Sequence, residues 1–328
     1  MRDFEALGFV PCYRRNFRFL ATMQHKRFKR FLLDRPFHVC RSMAELPQGS
    51  VAVEVTDRRS FPESRTHSQV RVRYEAAWPQ AARAVPMTFF VHPIVYDQWL
   101  AYPGPDLAAA RPWRIFFSGR VVGRKYGADL LSGKFGKMPR QQILRALEAS
   151  LPADRLRRLL TAADLETGAL QHPCFVWSDM TGYKIARPDW LGVLNRADFF
   201  LACPGTDMPL CHNLVEALSR GAVPILEHPE YLDPPLEHDV NCLVFHGREE
   251  LLKTFDRVFE FSPEQIFRLR QGAYAYHQSH LAPGRFARRL LGLPYPRVDL
   301  LLNSYRTRRW PAGCPPLFHE CSEPVPAH

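Results

Sequence analysis

An apolar run that ends in a Pro-Gly turn and leads into a helix can hold a phosphorylated ligand. Residues 198–226, DFFLACPGTDMPLCHNLVEALSRGAVPIL, read this way. After its Asp the run is continuously apolar, as a strand covered on both faces requires. Gly205 lets the backbone turn sharply or approach a ligand closely. The helix starting near His212 or Asn213 directs unpaired N–H groups into the space beyond the strand end, where a phosphate is stabilised. His212 is placed to donate to that phosphate, and Glu216, one turn in, to accept both hydroxyls of a ribose. Gly221 fits the helix C-cap. An ordinary αβ unit would use the same residue types, with Glu216 merely favoured near a helix N-terminus and His212 acting as a helix-capping group.

A second group lies upstream. WRIFFSGR (113–120) reads as a strand running into Gly119, and Arg120, Arg124 and Lys125 follow in a loop on the crevice side. A leaving nucleoside diphosphate gathers negative charge, which cations and helix N–H groups already in place would stabilise. A solvated basic loop is the plain alternative. The base that would activate an acceptor hydroxyl is sought just past strand ends, at His92 after MTFFV and Asp57 after SVAVEVT. His92 ranks ahead because imidazole titrates near neutrality; turn and cap roles are the alternatives for both. Glu54, Asp97 and Asp179 rank below them. HExxH, carboxylate-cluster, GxSxG, Walker A and GxGxxG patterns are all missing, so neither a catalytic metal nor a cofactor is expected.

The elements that must position these groups alternate. Strands are expected at 37–40, 50–55, 87–91, 113–120, 174–178, 198–202, 223–226 and 241–245. Helices are expected at 17–33, 140–151, 154–165, 190–196, 211–220, 247–258 and 263–280. Strands alternating with helices imply right-handed crossovers and parallel sheets, hence an α/β chain. The proline-rich stretch 102–112 is the expected boundary, giving a domain at 1–112 and a second at 113–292. Residues 293–328 hold seven prolines and little periodicity, and read as an irregular tail.

Composition bounds the class. The chain has 328 residues, 46% hydrophobic, enough to fill cores and to exclude a wholly disordered chain. No run approaches the ~18 apolar residues of a spanning helix, and the first residues carry no apolar signal region; a soluble, cytoplasmic protein is expected. Of the formal charge of +11, a net +7 falls within 14–35, in the stretch YRRNFRFLATMQHKRFKRFLLDR (13–35). The excess is therefore local, and no nucleic-acid partner is expected. Basic residues interleaved with Phe would suit peripheral contact with an anionic membrane through 14–35; a surface helix packing its Phe side chains on its own domain is the alternative. The eight cysteines show neither CxxC nor zinc-finger spacing and read mostly as small buried hydrophobes.

ADFFLACPGTDMPLCHNLVEALSRGAVPIL (197–226) resembles the donor-binding segment of exostosin-type glycosyltransferases, and more broadly of GT-B glycosyltransferases. The matching positions are Cys203, Pro204, Gly205, Glu216, Ala217, Leu218, Gly221, Pro224 and Ile225. HPEYLDPPLEHDVNCLVF (228–245) and RIFFSGRVVGRKYGADLL (114–131) also fit. The resemblance covers about 113–290 and reaches the first 112 residues poorly. It implies two Rossmann-like domains, the first on the acceptor side and the second binding a sugar nucleotide. It implies transfer of a sugar from a nucleotide-sugar donor to a glycan or lipid-linked acceptor, without metal. The donor residues it implies are Gly119, Arg120, Lys125, Gly205, His212, Asn213 and Glu216, with Glu216 on the ribose and Arg120 and Lys125 near the diphosphate. Two positions depart from the pattern. Asn213 stands where exostosin-type enzymes often carry Arg, and Met208 where many retaining enzymes carry a second Glu, which leaves diphosphate contact and stereochemistry open. A non-catalytic glycan- or nucleotide-binding protein on the same shell is the alternative, and a basic nucleic-acid-binding protein ranks last.

Overall fold

The computed structural model describes residues 2–15, 18, 21, 33–58, 62–73, 84–87, 89–121, 123, 135–166, 173–205 and 209–301. Along the chain come α1 (Arg2–Glu5), β1 (Cys12–Arg14), β2 (His38–Cys40), β3 (Val53–Thr56), β4 (Ser68–Arg73), β5 (Ala84–Pro86), α2 (Tyr96–Ala101), β6 (Trp113–Gly119), α3 (Arg140–Ser150), β7 (Leu156–Arg158), α4 (Ala163–Glu166), β8 (Phe175–Asp179), α5 (Trp190–Leu194), β9 (Ala197–Leu201), α6 (His212–Ser219), β10 (Val223–Leu226), β11 (Leu243–Val244), α7 (Gly247–Glu260), α8 (Pro263–Tyr276), α9 (Arg285–Leu291) and β12 (Arg297–Leu301). They form two compact units. Among the described residues, the first runs to Met87 and resumes at Ala282, and the second is the stretch between. The expected α/β class with parallel sheets is observed in both.

The second unit is built on a six-stranded sheet of order β11-β10-β9-β6-β8-β7, parallel at every pairing. Each residue of β8, β9 and β10 is buried, which is why their sequences are apolar without alternation. Ile115 of β6 aligns with Phe175 of β8 and Phe199 of β9, so the broadest side chains meet at the sheet centre. The chain leaves β6 toward β7 and β8 on one side, then crosses to β9 on the other. The ends of β6 and β9 therefore flank a topological switch point, where open parallel sheets leave a crevice. Helix α8 shows how local sequence sets an end. Ser262 accepts from the Gln265 N–H, Gln265 reaches back to the Ser262 N–H, and Pro263 opens the first turn. Gly221, at φ 63°, ends α6 where a Cβ would run into the Leu107 side chain.

The first unit has a four-stranded parallel sheet of order β3-β4-β12-β5. Its central strand β12 comes from the far end of the described chain. Asp299 of β12, 1% exposed, accepts Arg71 Nε–H at 2.7 Å and Arg71 Nη2–H at 2.5 Å, with Arg73 Nη1 at 3.4 Å. The Asp3 carboxylate accepts the backbone N–H groups of Gly284 (2.8 Å) and Ala287, capping α9 from the opposite end of the sequence.

The structure departs from the sequence expectations at several places. Proline-rich 102–112 lies inside the second unit. Arg111 donates to the carbonyls of Ala197 and Arg220 at 2.7 and 2.8 Å, Arg220 to that of Pro103 at 2.8 Å, and Arg270 to those of Ala109 and Asp106 at 3.0 and 3.1 Å. Asp106 Oδ1 accepts the Ala108 and Ala109 N–H groups within the stretch, and Arg220 and Arg270 take up its carbonyls. Of the expected irregular tail, 297–301 is strand β12, because Val298, Leu300 and Leu301 find apolar cover in a sheet that local sequence does not reveal. The helix expected at 154–165 is instead edge strand β7 followed by short α4. Sheet pairing with β8 overrides the helical spacing of its Leu and Arg residues. The described residues of 87–91 are not strand; the strand is β5, just before. The helix expected at 17–33 lies almost wholly outside the described residues, as does 302–328.

Burial alone would raise the Asp299 pKa, but the hydrogen bonds and charge of Arg71 and Arg73 outweigh it and hold the carboxyl below its ordinary value. Its contribution is present above the unfolded-state pKa near ~3.9 and is lost as pH falls through the lower folded value. Asp299→Ala leaves two arginines without their acceptor. It is expected to lower stability by about 3 kcal/mol near neutrality, the low end for breaking a buried pair because the arginines are partly exposed. Its stability should also fall less steeply than wild type as pH drops below ~4. Urea titrations from pH 3 to 7 check both.

Candidate functional site

The second unit's crevice is rimmed by the segments that follow β6, β9 and β10. After β6 comes Gly119, where a Cβ would meet Arg140 Nη1 and the Phe117 ring, each at 3.0 Å, so the residue is glycine for close approach. Arg120 follows, exposed. After β9 come Cys203, Pro204 and Gly205, with the Gly205 N–H on the Pro209 carbonyl at 3.1 Å. Helix α6 then begins at His212. Its N-cap residue, Cys211, gives no side-chain cap.

Glu216 differs most from its expected setting. It is 4% exposed, and both carboxylate oxygens are engaged within the protein. Oε1 accepts the His92 backbone N–H at 2.9 Å, and Oε2 accepts the Trp190 indole N–H at 2.7 Å. Burial raises its pKa, and these two hydrogen bonds oppose the rise. One turn earlier, His212 Nδ1 lies 2.6 Å from the Phe90 carbonyl oxygen. A carbonyl only accepts, so Nδ1 carries the proton. Burial pushes the pKa of the imidazole down, with the Phe90 bond countering, so the neutral ring keeps a lone pair on Nε2. In this tautomer the free nitrogen accepts. The expected donation from His212 to a phosphate is not the role this geometry serves. The His212 ring also lies 4.6 Å from that of Phe89 and 4.9 Å from that of His92, the latter edge-on.

His92, Glu216 and His212 are thus brought together. His92 was expected in the N-terminal domain, but it belongs to the second unit and meets helix α6 directly. Asp57 is exposed just beyond β3 in the first unit. Asn213 follows His212 with its side-chain oxygen buried and without a described partner. Lys125 and Arg124 lie outside the described residues, as do Thr206, Asp207 and Met208. Among the described residues, no group of three or more His, Cys, Asp or Glu side chains is placed to hold a metal ion, and no helix is long and apolar enough to cross a membrane.

Four residues that sequence reasoning passed over or ranked low organise the rim. Arg140, the first residue of α3, donates to the carbonyls of Arg120 (2.9 Å) and Pro204 (3.1 Å). Asp179 Oδ1 accepts the N–H groups of Val121 and Thr181 at 3.2 and 3.0 Å, and Oδ2 accepts the Thr181 hydroxyl at 2.7 Å; a carboxylate so engaged is a loop tie rather than a base. Glu227, after β10, accepts the Met138 and Gly247 N–H groups at 2.5 and 2.9 Å. Trp190 holds Glu216. Next to Glu227, His228 is 1% exposed, and its pKa is pushed down to about 3 by burial, then by the charge of Lys137. The available signal for Arg140 was its type and place: the macrodipole disfavours a cation in a helix's first turn, so one found there has another duty. Nothing local marks Trp190.

In the first unit, Ser64 Oγ lies 2.8 Å from His67 Nδ1, and His67 Nε2 lies 3.4 Å from Glu54. Ser64 Oγ also accepts the N–H groups of Thr66 and His67, which occupies the lone pairs a nucleophile would use. This network is a turn.

No protein-family model matches the sequence, and no curated protein matches it. Solved structures do. An alpha-glucosyltransferase in complex with UDP is 15% identical, covering 58% of this chain and 53% of its own, at a TM-score of 0.38. An alpha-glucosyltransferase in complex with UDP-glucose and DNA containing an abasic site is 14% identical, covering 70% and 59%, at 0.39. The C-terminal domain of a glycosyl transferase group 1 family protein from Francisella tularensis is 14% identical, covering 58% and 95%, at 0.30. This chain spans between half and three fifths of the length of the first two.

Glu216→Gln keeps the shape but sets an amide N–H₂ against one of two N–H donors. It is expected to cost about 1–3 kcal/mol. Trp190→Phe removes one donor to a buried carboxylate and should also cost about 1–3 kcal/mol, while raising the Glu216 pKa further. Glu216→Ala strands both donors and should be worse than either. Thermal and urea unfolding of the three variants give the order.

Proposed function

We propose that this protein is a GT-B-like glycosyltransferase that moves a sugar from a nucleotide-sugar donor to a glycan or lipid-linked acceptor without a resident metal. The observation that carries the reading is the β6/β9 switch point. The residues past β6 and β9 are bridged there by Arg140, which donates to the carbonyls of Arg120 and Pro204, and the chain past β9 goes on to the helix that bears Glu216. Every residue of the Cys-Pro-Gly, Glu-Ala-Leu and Gly-x-x-Pro-Ile pattern lies on the elements that build this crevice.

In this reading the donor's diphosphate lies at the loops after β6 and β9, where Arg120, Gly205 and the first N–H groups of α6 favour negative charge. Each Glu216 oxygen accepts one protein hydrogen and keeps a second lone pair. Ribose hydroxyls therefore engage it by sharing those oxygens or by displacing the Trp190 indole. Direct displacement at the anomeric carbon needs a base for the acceptor hydroxyl. His92 is assigned that role ahead of Asp57 because its ring lies against His212 on the donor-side helix. The departing diphosphate is stabilised by cations and N–H donors already in place, which requires no metal.

A second reading has one specific observation in its favour. A Glu216 with both oxygens engaged inside the protein is what a shell that binds nucleotide or glycan without turnover would also show.

Thermal unfolding with UDP, GDP, ADP and CMP and their sugar conjugates, with and without chelator, separates these. One nucleoside diphosphate is expected to raise the melting temperature regardless of chelator, since a ligand at 100 Kd adds about 2.7 kcal/mol to the native state. The same nucleotide's sugar conjugate should then be hydrolysed or transferred. In His92→Gln, kcat should fall by about 10²–10⁴ with the donor KM held, the range for loss of a general base. Nucleotide binding with neither hydrolysis nor transfer would favour the binding-protein reading, and no shift with any nucleotide would overturn the transferase reading.

A further inference from the structure

Two cysteines of the first unit meet sulfur to sulfur. Among the described residues, β1 (Cys12–Arg14) and β2 (His38–Cys40) form a two-stranded parallel sheet, with Cys12 opposite His38 and Arg14 opposite Cys40. Side chains alternate between the faces of a strand, so Cys12 and Cys40 share one face on adjacent strands. Their sulfurs lie 3.1 Å apart. The other face carries Tyr13, which is buried and packs edge-on against the Phe37 ring at 5.3 Å.

This placement suits thiol chemistry. The sulfurs need only ~1 Å of approach to reach bonding distance. Both cysteines are half-buried, whereas Cys174, Cys203 and Cys242 are buried. A small reagent therefore reaches this pair more readily than those three. The sheet the pair spans is short. Beyond its three paired positions, the His38 N–H donates to the Pro11 carbonyl at 2.9 Å and the Arg15 N–H to the Cys40 carbonyl at 2.7 Å. Two short strands are marginal without further support, so a covalent tie adds more here than it would in the four-stranded sheet. The tie would also close residues 13–39 into a loop and remove conformations from the unfolded chain.

We propose that Cys12 and Cys40 form a reversible dithiol–disulfide couple that locks β1 to β2, with a low-molecular-weight disulfide, RSSR, as the oxidant. One cysteine, as its thiolate, attacks a sulfur of RSSR, forms a mixed disulfide and releases RS⁻. The other cysteine, as its thiolate, attacks the protein sulfur of that mixed disulfide, forms the Cys12–Cys40 bond and releases the second RS⁻. Two electrons pass from the cysteine sulfurs to the oxidant, and the two protons the cysteines give up end on two RSH molecules. Excess thiol runs the same steps in reverse. The couple uses residues of the first unit alone and holds whether or not the protein transfers a sugar.

The test uses the full chain, reduced and then incubated with glutathione disulfide without denaturant. Remaining thiols are blocked with N-ethylmaleimide, and the digest is mapped by mass spectrometry without reduction. The expected result is a peptide bearing Cys12 joined to one bearing Cys40 in most molecules, and separated again by dithiothreitol. The oxidised chain should melt about 3–10 °C above the reduced chain. That rise should vanish in Cys12→Ser and in Cys40→Ser, each of which should hold glutathione on the cysteine that remains. Finding Cys12 and Cys40 both blocked by maleimide, both carrying glutathione, or joined to other cysteines overturns the proposal. A Cys12–Cys40 bond that leaves the melting temperature unchanged or lower overturns it too, because the bond would then not lock the sheet. The map and the melting shift are both read on wild type, so the decision stands even if a serine variant does not fold.

Discussion

A carboxylate at 4% exposure has lost its water, and the protein must replace it with donors or force the group to neutralise. Glu216 meets this demand with two hydrogens, one from the backbone of His92 and one from the indole of Trp190. Much of the site's shape follows. The segment 89–92 is drawn onto helix α6, His212 can reach the Phe90 carbonyl, and the rings of Phe89 and His92 each pack against that of His212. The same carboxylate holds α5 against α6 through Trp190. A ligand that uses Glu216 therefore acts on three segments at once.

The second unit handles its buried cations by a related rule. The chain is rich in arginine, and several of these residues serve as backbone staples rather than surface charge. Arg111, Arg220 and Arg270 close the carbonyls of 103–109 and the ends of neighbouring elements. Asp198 is the carboxylate on which Arg114 and Arg270 converge. Desolvation raises its pKa while the surrounding guanidiniums oppose that rise. One end of β9 thus carries an arginine cluster with its own acid, and the other carries Arg140 between two loops.

Much of the second unit was legible in sequence because its elements are locally determined. A strand buried on both faces must be apolar at every position, as β8, β9 and β10 are. An amphipathic helix must repeat its apolar residues at helical spacing, as α3 and α7 do. Gly205 and Gly221 mark turns. The order of these pieces predicted a parallel sheet, and the pieces gathered at the switch point were those expected to carry a ligand. The misreadings have a common cause. Leu156–Arg158 became a strand because β8 offered an edge, and 297–301 became a strand because the sheet of the first unit had a gap at its centre. Proline-rich 102–112 looked like a linker because the arginines that bind it lie far along the chain.

The sequence alone thus determined the class of fold, the strand-loop-helix at 197–226 and the residue types that line its crevice, since these depend on the periodicity of near neighbours. Tertiary structure decided what those residues do. Glu216 finds its two donors 26 and 124 residues away, and Asp299 finds Arg71 at a separation of 228. Hydrogen-bond partners at such distances are chosen by the packing of whole elements. For that reason the burial of Glu216, the Nδ1 hydrogen bond of His212, the packing of His92 against α6 and the hydrogen bonds of Arg140 to the carbonyls of Arg120 and Pro204 emerged only with the folded chain.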